Sequence, residues 1–380
     1  MTRRTRGGHT RRGMLKTTAT AAGFLTLAGC ASSDGAGNDG GDGSNGSGGS
    51  DGSGGTGGGS GPAKLTLATS VEGSTSFRIG SSFGQYLKRE GIEVPFTWNA
   101  VVSPGATGGY RMMDKGEVNL SGPSTYGLNA SPDQGPFAEQ PLERFDDVRQ
   151  IRGFFSVQPF VVVRADSGIE AWDDLAGKTI SVGSAGAGTR VPSERMVELE
   201  LGEGGARIEY VSYGEQPAAL RGGRVDAIFG YVNNAGTSST VVPGWMQELD
   251  STVEWRHVPF TEGTLSSFDE ELSYASTLTV DGKDLFSKFT GEITVYNLSY
   301  AWVGHADLDA SVVKELARVS HEHGEKLIEA DSAMGFFPDA DWFLGTLHPE
   351  VPVHEGAYEY YQEAGLWDQY ELTPPPEAGE

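Results

Sequence analysis

The 380-residue chain has one cysteine, Cys30, so no intramolecular disulfide can form and zinc sites built on several thiolates are excluded. Positive charge is also scarce. Lys and Arg number 28 against 52 Asp and Glu, a formal net charge of −24. So acidic a chain, without a basic stripe, repels nucleic acid and anionic headgroups. Acidity spread along the whole length reads as adaptation to high salt, where a Debye length of about 3 Å at 1 M screens self-repulsion. The seven histidines are scattered. The close pair His321 and His323 is spaced i, i+2 on an expected helix, where a zinc-binding pair needs i, i+4 and a solvated face is the plainer reading. Neither a metal nor a cofactor is expected.

Nucleotide signatures are missing too. Gly183 to Gly188 is spaced G-x-x-G-x-G, not G-x-G-x-x-G, and Gly177-Lys178-Thr179 has Trp172 where a P-loop needs its first glycine. No apolar run reaches the roughly 20 residues of a membrane-spanning helix.

What the N-terminus does have is an address. Arg3, Arg4, Arg6, Arg11, Arg12 and Lys16 precede an apolar stretch from Thr17 to Ala28, the layout of a signal peptide over residues 1–29. Thr10-Arg11-Arg12-Gly13-Met14-Leu15-Lys16 resembles a twin-arginine export signal, and Leu27-Ala28-Gly29-Cys30 resembles a lipobox. Cys30 is therefore expected to carry a lipid anchor, followed through residue 62 by a Gly/Ser/Asp linker too polar to bury a core. A coil of this kind reaches roughly 30 Å.

About 315 residues follow Pro62, more than one typical core holds, which suits two domains. Lys64 to Thr69 alternates as a strand, Ser70 to Ser76 is a small-residue loop, and Phe77 to Arg89 has helical spacing stopped by Gly91. The unit repeats as strand Phe96–Val102, loop Pro104–Gly109, helix Tyr110–Lys115 and strand Glu117–Ser121. It repeats again as strand Thr179–Val182, loop Gly183–Gly188 and helix Arg190–Leu201. Ile208–Ser212, Pro217–Arg221 and Val225–Tyr231 continue the alternation, which predicts an α/β fold with parallel sheets covered on both faces. Loops at the carboxyl ends of such strands gather ligands.

Among those loops Gly183-Ser184-Ala185-Gly186-Ala187-Gly188-Thr189-Arg190 is the most informative. A glycine-rich turn opening a helix offers free N–H groups and a positive dipole end to a carboxylate or phosphate, with Ser184, Thr189 and Arg190 as added donors. Gly80-Ser81-Ser82-Phe83-Gly84 matches G-x-S-x-G, yet Ser82 falls inside a helix rather than at the strand-to-helix turn a nucleophile elbow requires. A hydrolase using Ser82 with Asp226 and His305 is the weaker alternative.

Together these pieces resemble the TAXI family, the extracytoplasmic solute receptors of tripartite ATP-independent periplasmic (TRAP) transporters, over nearly all of Lys64 to Trp367. Gly73-Ser74-Thr75-Ser76-Phe77 stands where the family has G-G-T-Y-Y. Val161 to Ile169 with Asp174 to Lys178 is like the stretch entering the second domain. Ser181-Val182-Gly183 through Gly188-Thr189 resembles S-V-G-x-x-G-S-G-T, Gly223 to Phe229 resembles G-x-I-D-A-F-F, and Val353 to Ala357 with Tyr360-Tyr361 resembles the closing H-P-G-A-x-x-Y-Y.

The resemblance implies a two-lobed periplasmic-binding-protein-like fold (type II). Its lobe I would be 63–158 with 292–368 and its lobe II 159–291, joined by hinge strands around a ligand cleft, with a tail at 369–380. It implies ligand contacts from Gly73, Ser74, Thr75 and Ser76; from Ser103, Gly105 and Thr107; from Ser124 and Thr125; from Ser184, Gly188, Thr189 and Arg190; and from Tyr231 and Asn233, with Arg78 as a second possible carboxylate partner. Pro123-Ser124 replaces the Gln-Ser common in the third loop. The implied function is not enzymatic: capture of a small organic anion, such as glutamate or a dicarboxylate, and delivery to a TRAP-type membrane permease. A sensory receptor of the same fold is the alternative from another class.

Overall fold

The computed structural model describes residues 61–129, 137–271 and 276–376. The basic leader, Cys30 and nearly all of the glycine-rich segment lie outside the described residues.

The elements run β1 (Ala63–Ala68), α1 (Thr75–Arg89), β2 (Phe96–Val101), α2 (Ala106–Asp114), β3 (Leu120–Ser121), α3 (Thr125–Asn129) and β4 (Val148–Arg164). There follow β5 (Thr179–Ser181), α4 (Arg190–Leu201), β6 (Arg207–Glu209), α5 (Gln216–Arg221), β7 (Ala227–Asn233), α6 (Gly244–Thr252), β8 (Trp255–Val258), α7 (Glu262–Glu271) and β9 (Ser276–Asp281). The chain ends through β10 (Glu292–His305), α8 (Ala310–Glu322), α9 (Gly324–Ala330), α10 (Ala340–Phe343) and α11 (Glu355–Glu363).

Helix α1 shows how local sequence sets an element. Ser74 caps it by accepting the Phe77 N–H (3.3 Å), Lys88 and Arg89 oppose the dipole at the other end, and Ile79, Phe83, Tyr86 and Leu87 form its buried stripe. Gly91 follows at φ +61°, a left-handed conformation that suits glycine.

The fold is mixed α/β, and its strands are not all parallel as the strand–helix alternation predicts. The sheet order is β2-β1-β3-β10-β4-β7-β5-β6, with β8 on β4 and β9 on β10. Pairs β1–β2, β1–β3, β5–β6 and β5–β7 are parallel, whereas β4 and β10 run antiparallel to each other and to their outer neighbours. Helix α2 begins at Ala106, four residues before the expected start, and the third strand shrinks to Leu120–Ser121.

Strands β4 and β10 change partners midway. Residues 148–157 of β4 pair with 298–305 of β10, then 157–163 of β4 pair with β7 while 292–297 of β10 pair with β9. Polar side chains buried at this crossing are satisfied by the backbone and by one another. Asn233 Nδ2 donates to Ser156 O (3.0 Å), Ser156 N–H to Asn234 Oδ1 (3.0 Å), Asn234 Nδ2 to Ala333 O (2.9 Å) and Gln158 Nε2 to Ser156 Oγ (2.6 Å). Fully paired groups of this kind fix a unique backbone path.

The core beside it is aromatic. Trp302 on β10 is fully buried, with ring centroids of Trp98, Phe83, Phe154 and Phe337 5.0 to 5.6 Å away.

Candidate functional site

The loop after β1 ends at the N-terminus of α1, and the loop after β5 ends at the N-terminus of α4. Both open onto one cavity of ≈ 390 Å³, open solvent at its mouth included. Ser70, Ser74, Thr75 and Ser76 line it from the first loop, Ala187, Gly188 and Thr189 from the second. Ala106, Gly122, Tyr213 and Asn233 complete the polar and small-residue wall, and Phe155, Val157, Tyr231 and Tyr300 come from the central strands.

The loop after β2 touches the loop after β5 beside this cavity, next to its lining residues Ala106 and Ala187. A β-carbon added at Gly105 would lie 1.8 Å from Gly186 O, and one added at Gly186 would lie 1.7 Å from Pro104 O. Only hydrogen fits there, so two glycines let the backbones meet.

Four rings enclose the space. Phe155 and Tyr300 are register partners on β4 and β10 and stack at 4.6 Å, while Tyr213 and Tyr231 meet edge to face at 5.2 Å. Trp245 stacks behind Tyr213 at 5.5 Å. Burial raises the phenol pKa of Tyr213, Tyr231 and Tyr300, so all three are neutral hydroxyls. Among the described residues no Lys, Arg, His, Asp or Glu lines the cavity.

Of the residues expected at the site, the structure brings together Ser74, Thr75, Ser76, Gly188, Thr189, Tyr231 and Asn233. Thr75 Oγ1 donates to Asn233 Oδ1 (2.8 Å), joining the first loop to β7. Thr107 and Ser124 line a neighbouring crevice of ≈ 330 Å³ that shares Ala106, Ala187 and Gly188 with the cavity. Ser103 Oγ lies 2.6 Å from Thr69 O and 2.7 Å from Gly105 O, and so serves its own loop. Thr125 Oγ1 reaches Ser299 O at 3.4 Å, Gly73 is exposed, and Gly105 and Ser184 contribute to the walls of neither space.

Neither arginine faces the cavity. Arg78 is half exposed and bound to Asp331 (2.6 Å), and Arg190 pairs with Glu194 (3.3 Å) one turn along its helix, over the Tyr210 ring. A first-turn arginine of an amphipathic helix is drawn to carboxylates on the outer face as readily as to a ligand.

Burial opposes ionisation of Asp331, but hydrogen bonds from Arg78, Ser82 and Ala333 N–H outweigh it and hold its pKa below the usual range. Such a group stabilises the fold fully above its unfolded pKa of about 3.9, and that contribution is lost as pH falls through the lower folded value. The urea midpoint of wild type is therefore expected to drop between pH 5 and pH 2.5 more steeply than that of Asp331→Asn. Equal slopes would remove Asp331 from the account.

The hydrolase constellation is dispersed. Ser82 sits mid-helix and donates to Asp331 (2.7 Å), Asp226 accepts from Thr179 N–H (2.9 Å), and His305 ends β10 with its Nε2 buried and unpaired. His321 and His323 point apart, as their spacing requires, but to tyrosines rather than solvent: Tyr360 at 2.7 Å and Tyr86 at 2.9 Å. No acidic, histidine or cysteine cluster among the described residues could hold a metal, and none of their helices is long and apolar enough to cross a membrane.

A family model described as the NMT1-like family matches residues 67–365, most of the chain and all the cavity's walls. The chain belongs to the NMT1-like family. The fold is similar to that of the periplasmic aliphatic sulphonate binding protein SsuA from Escherichia coli, at 14% identity, 72% of this chain, 79% of that one and a TM-score of 0.38. Protein AF1704 from Archaeoglobus fulgidus matches at 15% identity, 80% and 98% coverage and a TM-score of 0.44. An ancestral arginine-binding protein bound to arginine matches at 15%, 70% and 97%, with a TM-score of 0.39.

Tyr231 was expected, but the other three rings of this family member's wall were not apparent from its motifs. Phe155 and Tyr300 lie on strands buried on both faces, and Tyr213 follows β6 in a short 3₁₀ turn. The one available signal was position: Tyr213, like Ser74 and Thr189, follows a strand's carboxyl end.

Proposed function

We propose that this chain is an extracytoplasmic solute receptor of the TAXI type. Exported by the twin-arginine route and anchored through Cys30 to the outer face of the cytoplasmic membrane, it closes two lobes on a small organic solute bearing a carboxylate. It then delivers that solute to a TRAP-type permease. The lobes are 63–158 with 292–368, and 159–291. The observation that carries this reading is the cavity itself, walled by loops from both sides of the sheet that meet at Gly105 and Gly186. Such a cleft is the usual place for a small-molecule site.

The carboxylate end would sit at the first turn of α1. The Thr75 and Ser76 N–H groups make no hydrogen bond among the described residues, and they stand at the positive end of a 15-residue helix.

A thermal-shift screen in molar salt, covering amino acids, dicarboxylates, oxoacids and methylated ammonium carboxylates, tests this. A solute at 100 times its Kd adds about 2.7 kcal/mol and raises the melting temperature by several degrees. If no member of the panel moves it, the receptor reading fails.

A further inference from the structure

Resting on the receptor reading, we infer that the solute is a zwitterion whose positive end is a fully substituted ammonium. Its carboxylate lies at the α1 N-terminus and its cation lies among the rings of Phe155, Tyr213, Tyr231 and Tyr300.

Three properties of the cavity lead there. The first is the carboxylate end. Besides the free N–H groups of Thr75 and Ser76, the hydroxyls of Ser76 and Tyr300 line the cavity without a hydrogen-bond partner among the described residues, although each residue is only 4% exposed. Open to the cavity and unpaired, both hydroxyls are free to donate to a ligand oxygen.

The second property is the absence of cationic side chains. With Arg78 held by Asp331 and Arg190 by Glu194, nothing but dipoles would neutralise an anion. The chain's net charge of −24 opposes a second negative charge further. One carboxylate is within the reach of a helix terminus; a dicarboxylate would leave its other charge desolvated and unpaired.

The third is the character of the opposite wall. Electron-rich ring faces attract a cation. A primary ammonium, however, brings three N–H donors that need acceptors, and no carboxylate lines the cavity. The Asn233 side-chain oxygen already accepts from Thr75. A methylated ammonium brings no donors, so it needs no acceptor beside the rings.

Isothermal titration of the purified full-length chain in molar salt tests the inference, with glycine betaine and γ-butyrobetaine as probes. Glycine, γ-aminobutyrate, L-glutamate and succinate are the comparison set. At least one betaine is expected to bind 10-fold or more tighter than its unmethylated counterpart and than succinate. Tyr213→Leu, on a half-buried loop residue, should weaken it at least 10-fold, and Tyr213→Phe, which keeps the ring, less than 3-fold. Succinate, glutamate or a primary amine binding as tightly as the betaines, or equal losses in the two Tyr213 variants, overturns the inference and leaves the receptor reading standing. If neither these probes nor any solute of the wider screen binds, both fall.

Discussion

Gly186→Val is expected to weaken solute binding about 100-fold or more while leaving the melting temperature of the solute-free protein within a degree or two of wild type. The β-carbon alone would fall 1.7 Å from Pro104 O, a separation no side chain tolerates, so the loops after β2 and β5 could not meet. Solute would then bind only a form with one wall withdrawn. If closure supplies about 3 kcal/mol of the binding free energy, its loss lowers affinity by a factor on the order of 100. On the receptor reading the solute-free protein keeps these loops apart and should not notice. Gly186 lies on a partly exposed loop whose φ is not left-handed, so valine adds no backbone strain while the loops are apart. Calorimetry on wild type and variant decides it, and affinities within 3-fold would mean that the contact is incidental.

The largest stability effect is expected at Trp302. Truncation to alanine removes a fully buried ring packed against Phe83, Trp98, Phe154 and Phe337, and such a cavity costs about 3–5 kcal/mol. Trp302→Phe is a sharper comparison. The indole N–H is buried without a partner, so phenylalanine loses volume but also removes an unsatisfied donor. Its cost should be under about 2 kcal/mol. Urea unfolding followed by tryptophan fluorescence and far-ultraviolet dichroism checks both; a Phe variant as unstable as the Ala variant would contradict this expectation.

Much of the architecture was legible because its signals are local. The strand of β1, the helices α1 and α4, and the small-residue loops between them follow from alternation, helical spacing and capping residues. The parallel pairing around β1 and β5 follows from strand–helix alternation. Legibility stopped at β4 and β10. The 17 residues of β4 and the 14 of β10, buried on nearly every side, show no alternation, because neither face meets water. Their antiparallel pairing is therefore invisible to periodicity.

The site divides the same way. Ser74, Thr75, Ser76, Gly188 and Thr189 sit in loops whose composition marks them, and the cavity contains them. Arg78 and Arg190 were expected from their charge and their place near helix starts, and neither specifies direction: Asp331 is far away in sequence, and Glu194 is one turn on. Phe155 and Tyr300 needed the strand register, which places them opposite each other.

The central claim is that a solute draws the two sides of the cleft together. Pulsed dipolar spin resonance measures that directly. Spin labels go on Lys115→Cys and Glu203→Cys, two exposed positions beyond α2 and α4, in a chain whose only native cysteine is replaced by Cys30→Ser. Saturation with the solute that most raises the melting temperature should shorten and narrow the distance distribution, and Gly186→Val should abolish that change. A distribution that saturating solute leaves unaltered would contradict the account.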